Sequence, residues 1–224
     1  MKREVITTAD GSSTIFLPDW NEHYHSKHGA VQEAYHVFIK TGYEYFKNIT
    51  RSSKNISILE IGFGTGLNAL ISLFEMRKDN FTINYTGVEA NPVASEEIKK
   101  LNYSTLFSEE DSEVFFQKLH DAPWEENIRI TDLFHLHKRK LFFTEITDVH
   151  QYELIYFDAF GPRVQPDLWT EEIFAKMFTA LKPGGVLVTY SAKGSVRRAM
   201  EAVGFKVERL PGPPGKREML RAKK

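Results

Sequence analysis

Short apolar runs alternate with amphipathic segments along most of this chain. The runs at 56–61, 84–89, 154–157 and 185–190 are typical of strands buried in a sheet. Helical spacing of apolar residues predicts helices over 66–77, 92–101, 111–120, 167–181 and 195–203. Strands that alternate with helices in this way favour an α/β fold built on a parallel sheet.

Two further pairs of strand-like runs extend the predicted sheet. One pair lies within 128–143, and the other, 205–210 and 218–223, flanks the Pro- and Gly-rich stretch 211–215. A rigid turn between strands is a better interpretation of that stretch than a polyproline ligand. We therefore expect a doubly wound, Rossmann-like sheet that ends in an antiparallel hairpin.

The first fifty residues have a different pattern. Strand-like runs at 4–7 and 14–17 surround a turn signal and predict a β-hairpin, followed by an irregular segment over 18–28. Residues 29–48 have the apolar spacing of an amphipathic helix. The expected organisation is an N-terminal hairpin-and-helix extension, 1–50, packed on a single domain, 51–224.

Composition narrows the class of protein. A chain of 224 residues with 42% hydrophobic residues suits one globular domain. The absence of cysteine excludes disulfide scaffolds, thiolate nucleophiles and Cys-ligated zinc. No apolar stretch has the length of a signal peptide or a membrane span, which favours a soluble, cytoplasmic protein with no membrane partner.

Charge is distributed unevenly along the chain. The net charge is −1, from 29 basic and 30 acidic residues. Eleven of the basic and three of the acidic residues lie in 182–224, so this segment carries 11 − 3 = +8 and the rest of the chain 18 − 27 = −9. A basic end of this kind suits a polyanion, although a solvated face is the simpler interpretation of charge alone.

The most informative motif follows the first strand of the predicted sheet and reads Glu60-Ile61-Gly62-Phe63-Gly64-Thr65-Gly66-Leu67-Asn68. Alternate glycines allow a sharp turn and a close approach of the backbone to a ligand at a helix N-terminus. A dinucleotide-binding loop needs its third glycine at position 67, which is Leu67, and the mismatch counts against NAD.

Two carboxylates follow later strands. Glu89 ends the second strand, where an acid accepts hydrogen bonds from ribose hydroxyls in such folds, although it could also cap the next helix. Asp158 ends a central strand and precedes Phe160. Asp158 in this position suits a proton acceptor and Phe160 suits stacking on a base, but an acid that organises the loop and a core aromatic are equally compatible with position alone.

Five motifs in order resemble the methyltransferase part of the bifunctional tRNA-modifying MnmC family. They are the glycine motif above, Phe157-Asp158-Ala159-Phe160-Gly161-Pro162 with 165–170, Lys216-Arg217-Glu218-Met219-Leu220, an N-terminal signature within 24–39, and a late strand-helix unit within 189–205. They span nearly the whole chain. The resemblance implies a class I methyltransferase that depends on S-adenosylmethionine (AdoMet) and methylates the aminomethyl group on the wobble uridine of tRNA.

The resemblance also assigns roles to residues. It implies that AdoMet contacts Glu60, Gly62, Phe63, Gly64, Gly66, Asn68 and Glu89, and that Asp158 engages the substrate amine. The tRNA anticodon loop is expected to contact Tyr24, Phe160, Lys193, Arg197, Lys216 and Arg217. The family's flavin-dependent oxidase half has no counterpart in 224 residues, so we expect the stand-alone form of the methyltransferase. This form is expected to use neither FAD nor NAD and to bind no DNA. Separate enzymes are expected to supply the aminomethyl precursor.

Several alternatives stay open at this point. The segment 136–143 is basic and apolar where relatives carry an acid that binds adenine, so a backbone contact, Glu145 or Asp148 is expected to replace it. Trp169 fits a core stripe better than a stacking role. The three histidines at 23, 25 and 28 favour hydrogen bonding over metal binding. A methyltransferase acting on another RNA or a small amine, and a non-catalytic RNA-binding module, are the competing functions.

Overall fold

A computed structural model describes residues 2–50 and 54–224. The strands are β1 (Glu4–Thr7), β2 (Ser13–Leu17), β3 (Glu22–His23), β4 (Asn55–Ile61), β5 (Thr82–Val88), β6 (Asn127–Thr131), β7 (Phe134–Arg139), β8 (Tyr152–Phe157), β9 (Leu181–Thr189), β10 (Lys206–Pro211) and β11 (Glu218–Lys223). The α-helices are α1 (Ala30–Ala34), α2 (Glu44–Ile49), α3 (Leu67–Lys78), α4 (Ser95–Ile98), α5 (Ser112–Asp121), α6 (Glu171–Ala180) and α7 (Gly194–Ala202).

Eight strands form the main sheet in the order β10-β11-β9-β8-β4-β5-β7-β6. The five central strands are parallel, as the alternation of strands and helices predicts. The terminal hairpin is confirmed, since β11 pairs antiparallel with both β9 and β10. The two strand-like runs predicted within 128–143 are confirmed as β6 and β7, and β6 pairs antiparallel with β7 at the opposite edge, an orientation that the sequence interpretation did not include.

The N-terminal residues form a small sheet and a helical segment. Strands β1 and β2 make the expected hairpin, and β3 adds a short third strand within the segment predicted to be irregular. The predicted helix over 29–48 is confirmed, but its middle, Tyr35–Tyr43, is π-helical. This segment packs closely on the main sheet, since a Cβ on Gly42 would lie 3.0 Å from Val188 Cγ2.

Two predicted helices are shorter than expected. The helix over 92–101 is wrong in its extent, because only α4 (Ser95–Ile98) is α-helical and Pro92 lies before it. The Arg3 guanidinium donates hydrogen bonds to the backbone carbonyls of Asn91 and Pro92, which holds this stretch in a non-helical conformation. The helix over 167–181 begins at Glu171, after a 3₁₀ turn, Pro166–Trp169, and with Thr170 as its N-cap.

The core lies on both faces of the main sheet. Ile58 and Tyr156 face one cluster of buried side chains, whereas their neighbours Leu59 and Phe157 face the other. Successive residues of a strand point to opposite faces, and both faces of a parallel sheet are covered. The central strands are therefore apolar on consecutive positions, and their carboxyl ends are the part left free to carry function.

Replacing Phe174 by alanine is expected to lower the free energy of unfolding by about 3–5 kcal/mol. Phe174 is completely buried and packs on Phe157, with ring centroids 5.2 Å apart. Removing its ring leaves a cavity that the surrounding strands cannot fill. Urea unfolding measures the loss, and Val114→Ala, at a position 53% exposed, serves as a control that should change stability by less than about 0.5 kcal/mol.

Candidate functional site at the carboxyl edge of the sheet

The loop between β4 and α3 turns sharply at its three glycines. Gly62, Gly64 and Gly66 have backbone φ values of +90°, +48° and +73°, which residues other than glycine rarely adopt. A Cβ on Gly62 would lie 2.8 Å from the carbonyl oxygen of Asp158, and one on Gly64 would lie 3.1 Å from Tyr24 Cδ1. The glycines therefore let the backbone lie directly against the neighbouring strand end and the N-terminal segment.

A cavity of about 950 Å³ opens beside this loop. Its lining includes residues from four parts of the chain: the N-terminal sheet and the segment after it, the glycine loop, the end of β5, and the segment that follows β8. Of the residues expected from the sequence, those that line the cavity are Tyr24, Gly62, Gly64, Glu89, Asp158, Phe160 and Lys216. The predicted site residues thus converge from positions that are up to 192 residues apart (216 − 24).

Glu89 connects the glycine loop to the segment that follows β5. Its carboxylate accepts hydrogen bonds from the backbone N–H groups of Gly64, at 3.2 Å, and Asn91, at 2.9 Å. Burial raises the pKa of this carboxyl, and these backbone hydrogen bonds act in the opposite direction. Glu89 therefore organises the backbone after β5 and also presents an acceptor to the cavity, whereas the N-cap of the next helix is Ala94.

Asp158 lies at the end of β8 with one oxygen engaged. Its Oδ2 accepts a hydrogen bond of 2.9 Å from Asn68 Nδ2, and Asn68 Nδ2 also lies 2.9 Å from Glu60 Oε1. Burial raises the pKa of Asp158 to about 7, with the nearby Glu33 carboxylate adding to the rise. A carboxyl group with this pKa is half ionised at neutral pH and can take up or release a proton there.

Aromatic side chains form one wall of the cavity. Phe160 packs edge-on against Tyr24 and Trp20, with ring centroids 4.9 Å and 5.6 Å apart. Trp169 is 5% exposed and donates a hydrogen bond of 2.8 Å from Nε1 to the Phe160 carbonyl. The core assignment of Trp169 is confirmed, and this hydrogen bond ties the backbone of Phe160 to the core.

Lys216 enters the cavity rather than the outer surface. Its ammonium group forms an ion pair with Glu33, which is 6% exposed, and lies 3.8 Å from the ring centroid of Tyr190. The Tyr190 hydroxyl in turn donates to the Ala159 carbonyl at 2.8 Å. Lys216 therefore holds the β10–β11 loop against α1 beside the Asp158 end of the cavity.

His25 fastens the N-terminal segment to the glycine loop. Its Nε2 is hydrogen bonded to Thr65 Oγ1 at 2.8 Å, and the Tyr103 hydroxyl donates to the same oxygen at 3.2 Å. Burial lowers the pKa of His25 to about 4, so the ring is neutral at physiological pH. The expected hydrogen-bonding role of this histidine is confirmed.

The other predicted residues lie away from the cavity lining. Phe63 and Gly66 belong to the glycine loop but do not line the cavity. Glu60 in β4 and Asn68 in α3 are buried at the two ends of this loop. Lys193 and Arg217 are exposed, and Arg197 pairs with Glu201 at 3.2 Å. Glu145 and Asp148, suggested for adenine, are engaged by the Phe142 N–H and by Arg139, respectively.

Sequence reasoning did not name several of the lining residues, among them Arg3, Glu33 and Tyr190. Arg3 lies over the Tyr24 ring at 5.8 Å and pairs with Glu97 at 3.0 Å. Glu33 and Tyr190 occur inside motifs that carry the family resemblance, which was the only available signal. Within 2–50 and 54–224, no helix is long and apolar enough to cross a lipid bilayer.

Comparisons with known proteins agree with this geometry. Residues 116–224 match a family described as S-adenosyl-L-methionine-dependent methyltransferase. The chain is 30% identical over 227 residues to the tRNA 5-methylaminomethyl-2-thiouridine biosynthesis bifunctional protein MnmC of Leptospira interrogans, with 96% of this chain and 34% of that protein covered. It is 25% identical over 221 residues to the MnmC protein of Paraburkholderia xenovorans, with 93% and 33% covered. The chain spans about one third of the length of these curated relatives.

Solved structures show the same architecture. The crystal structure of MNMC2 from Aquifex aeolicus superposes with a TM-score of 0.81 at 26% identity, covering 99% of this chain and 70% of that one. A probable spermidine synthase from Corynebacterium glutamicum, at 18% identity and a TM-score of 0.56, covers 99% and 76% and shares the fold alone. The fold and the resemblance inferred from the motifs are confirmed: the chain has class I methyltransferase architecture, its residues 116–224 match the AdoMet-dependent methyltransferase family, and it is similar to one third of the MnmC proteins.

Proposed function

We propose that this protein methylates the primary amine of the aminomethyl group on the wobble uridine of tRNA. The observation that carries the proposal is the Asp158 carboxyl, with its pKa of about 7, facing a cavity between the glycine loop and an aromatic wall. An amine must lose its proton to act as a nucleophile, so a carboxylate that titrates near neutrality suits this acceptor. The MnmC relatives are named as tRNA 5-methylaminomethyl-2-thiouridine biosynthesis proteins, which supports the choice of tRNA as the acceptor molecule.

The cavity fits AdoMet at its glycine end. The backbone at Gly62 and Gly64 faces the cavity without side chains, which allows close approach of the methionine part of a ligand. Glu89 lines the same region and keeps acceptor capacity for the hydroxyls of a ribose. When bound, AdoMet supplies an electrophilic methyl group on a positively charged sulfur atom.

The remaining side chains suit the nucleoside. Phe160 and Tyr24 offer aromatic surfaces on which a single uracil base can stack, as is common for bases taken from a loop of RNA. Asp158 accepts the proton that the amine gives up and stabilises positive charge that develops on its nitrogen. The volume of about 950 Å³ is large for one small ligand and suits two ligands side by side.

Exposed basic residues would contact the phosphates of the anticodon arm. Lys193 and Arg217 have no ion-pair partner among the described residues, whereas Arg197 and Lys216 are already paired with acids. Contacts of this kind position RNA and weaken as salt increases. Lys193 and Arg217 are therefore the better candidates for backbone contacts, and Lys216 belongs with the cavity.

The experiment that tests the function is transfer of labelled methyl from AdoMet to two preparations of tRNA. One carries aminomethyl-uridine at the wobble position, and the other is fully modified there. We expect label only in the first, at the wobble nucleoside. Equal labelling of both would refute the wobble assignment in favour of another RNA position, and AdoMet binding without labelling of any RNA or small amine would favour a non-catalytic RNA-binding module.

Neutralising either member of the Glu33–Lys216 pair is expected to shift the pH dependence of methyl transfer in opposite directions. Glu33 raises the pKa of Asp158 and Lys216 lowers it. Since activity requires the ionised carboxylate, Lys216→Met should raise the pH midpoint of kcat/KM and Glu33→Gln should lower it, by roughly 0.5–1 unit each. Lys40→Met, at an exposed position outside the cavity lining, is the control, and shifts of the same sign in both cavity variants would contradict the prediction.

A further inference from the structure

A buried amide links two carboxyl groups beneath the glycine loop. Asn68 Nδ2 lies 2.9 Å from Glu60 Oε1 and 2.9 Å from Asp158 Oδ2, so its two N–H bonds have one acceptor each. Glu60 is 1% exposed and Asn68 is 3% exposed. The orientation of the amide is set by these contacts, because the reversed orientation would place its oxygen against two carboxyl oxygens.

These residues stand in the motif that the family resemblance assigns to AdoMet. Neither Glu60 nor Asn68 lines the cavity, whereas Gly62, Gly64 and Asp158 do. Asn68 Oδ1 and Glu60 Oε2 are buried with no hydrogen-bond partner among the described residues. The Asn68 amide contacts Glu60 and Asp158, and the other polar neighbour of Glu60 is the buried Tyr85 hydroxyl, so these contacts point to the proton acceptor rather than to the cofactor.

The three groups differ in how readily they carry charge. Burial raises the pKa of Glu60 well above its usual range, and the charge of Asp158 adds to the rise. Two ionised carboxylates bridged by one neutral amide are unfavourable in the interior, so burial and the charge of Asp158 both favour the protonated form of Glu60. A protonated Glu60 still offers Oε1 as the acceptor for Asn68.

Other titratable groups also lie near this pair. The charged groups that shift the pKa of Asp158 or Glu60 are Glu33, Lys216 and Glu89. Tyr190, Tyr103 and Tyr85 are neutral neighbours whose own pKa values the Asp158 carboxylate raises. Among them, none is joined to Asp158 by a hydrogen bond as Asn68 is. The Asn68 contact is also opposite in sign to burial, since it lowers the pKa of Asp158.

We propose that Glu60 and Asn68 are positioning residues for Asp158: Glu60 fixes the amide of Asn68, and Asn68 stabilises the ionised form of Asp158 and leaves its Oδ1 free for the substrate amine. The role of the amine rests on the proposed function. The arrangement of the three side chains does not depend on it, and it is tested without any substrate. A hydrogen bond to a charged group contributes about 1.5–3 kcal/mol, which corresponds to roughly one to two pKa units.

The test is a ¹³C NMR titration of the Asp158 carboxyl in the protein alone, assigned by comparison with Asp158→Asn. Asn68→Leu is expected to raise the titration midpoint by about one to two units. Asn68→Ala removes the same donor with a smaller side chain and gives the same direction if the leucine variant is poorly folded, which thermal unfolding reports. Midpoints that stay at the wild-type value in both variants would overturn the proposal.

Glu60 supplies the matched pair of variants. Glu60→Leu removes the acceptor that holds Asn68 and should raise the Asp158 midpoint, whereas Glu60→Gln retains an acceptor oxygen and should restore it to within about 0.3 units of wild type. AdoMet affinity, measured by calorimetry, should change less than threefold in both. If Glu60→Leu instead leaves the Asp158 midpoint at the wild-type value while it weakens AdoMet binding tenfold or more, Glu60 is a cofactor ligand and the proposal is wrong. Absence of methyl transfer to tRNA would refute the proposed function and leave the result of the titration standing.

Discussion

Asp158→Asn should lower the rate of methyl transfer by about 10²–10⁴-fold while leaving the affinity for AdoMet within a few-fold of wild type. Asparagine has nearly the same shape as aspartate, and its oxygen can still accept the hydrogen bond from Asn68, so the variant removes the proton acceptor without opening the site. The proposed AdoMet contacts at Gly62, Gly64 and Glu89 are left unchanged by the substitution. Single-turnover labelling of tRNA and calorimetry with AdoMet measure the two quantities separately.

The control for this variant is Asp121→Asn, which removes an exposed carboxylate at the end of α5. It should change neither quantity. If Asp158→Asn lowers turnover and AdoMet affinity by the same factor, Asp158 is part of the cofactor site. If turnover is unchanged, the amine loses its proton to another group.

The same variant should also alter stability, because the pKa of Asp158 is raised on folding. Between its usual range and about 7 the folded protein holds a proton that the unfolded chain has released, so stability falls as pH increases through this window. Asparagine cannot ionise and avoids that loss. Asp158→Asn should therefore raise the melting temperature relative to wild type at pH 8, and the difference should shrink as pH approaches 4.

The parts of the site that sequence reasoning identified are those encoded in short segments. The glycine loop and Asp158 each follow an apolar strand, and the carboxyl ends of parallel strands meet at one edge of the sheet. The sequence interpretation needed only the strand assignments to bring Gly62 and Asp158 together. Their backbone proximity, 2.8 Å from an added Cβ to a carbonyl oxygen, follows from adjacent strands β4 and β8.

The ion pair between Glu33 and Lys216 shows what local patterns do not contain. The two residues are 183 positions apart, and neither has a distinctive spacing of its own. The charge count placed Lys216 in a basic end suited to phosphates, but a count along the chain does not register partners from other segments. Lys182 likewise pairs with an acid outside this end, Glu153, so two of the positive charges in the excess are matched by acids that the count assigned to the rest of the chain.

The incorrect helix over 92–101 has a similar cause. Helix propensity and the proline at its start favoured a helix. However, Arg3, near the N-terminus, donates hydrogen bonds to the carbonyls that would accept hydrogen bonds from the first turn. Tertiary contacts override local preference in this way because each is comparable in energy to a helix propensity difference. The same arginine lies over the Tyr24 ring, so its contacts also hold the N-terminal segment beside the cavity.

Gly62→Ala is expected to weaken AdoMet binding by about 100-fold or more. Its φ of +90° disfavours any side chain, and its Cβ would lie 2.8 Å from the Asp158 carbonyl oxygen, a backbone atom that cannot rotate away. Relief of this contact requires the glycine loop to move from β8, which displaces the backbone that faces the cavity. A 100-fold loss corresponds to about 2.7 kcal/mol, within the range expected for strain plus a displaced contact.

Gly184→Ala separates backbone strain from the loss of the ligand site. Gly184 has a φ of +79°, close to that of Gly62, but an added Cβ would meet nothing within 4 Å. This variant should lose about 1–2 kcal/mol of stability from its left-handed conformation and keep the wild-type affinity for AdoMet. Thermal unfolding and calorimetry on both variants measure these two quantities. Equal AdoMet affinity in Gly62→Ala and Gly184→Ala would mean that the loop at Gly62 does not hold the cofactor, because Gly184 lies outside the cavity lining and its substitution adds backbone strain without a clash.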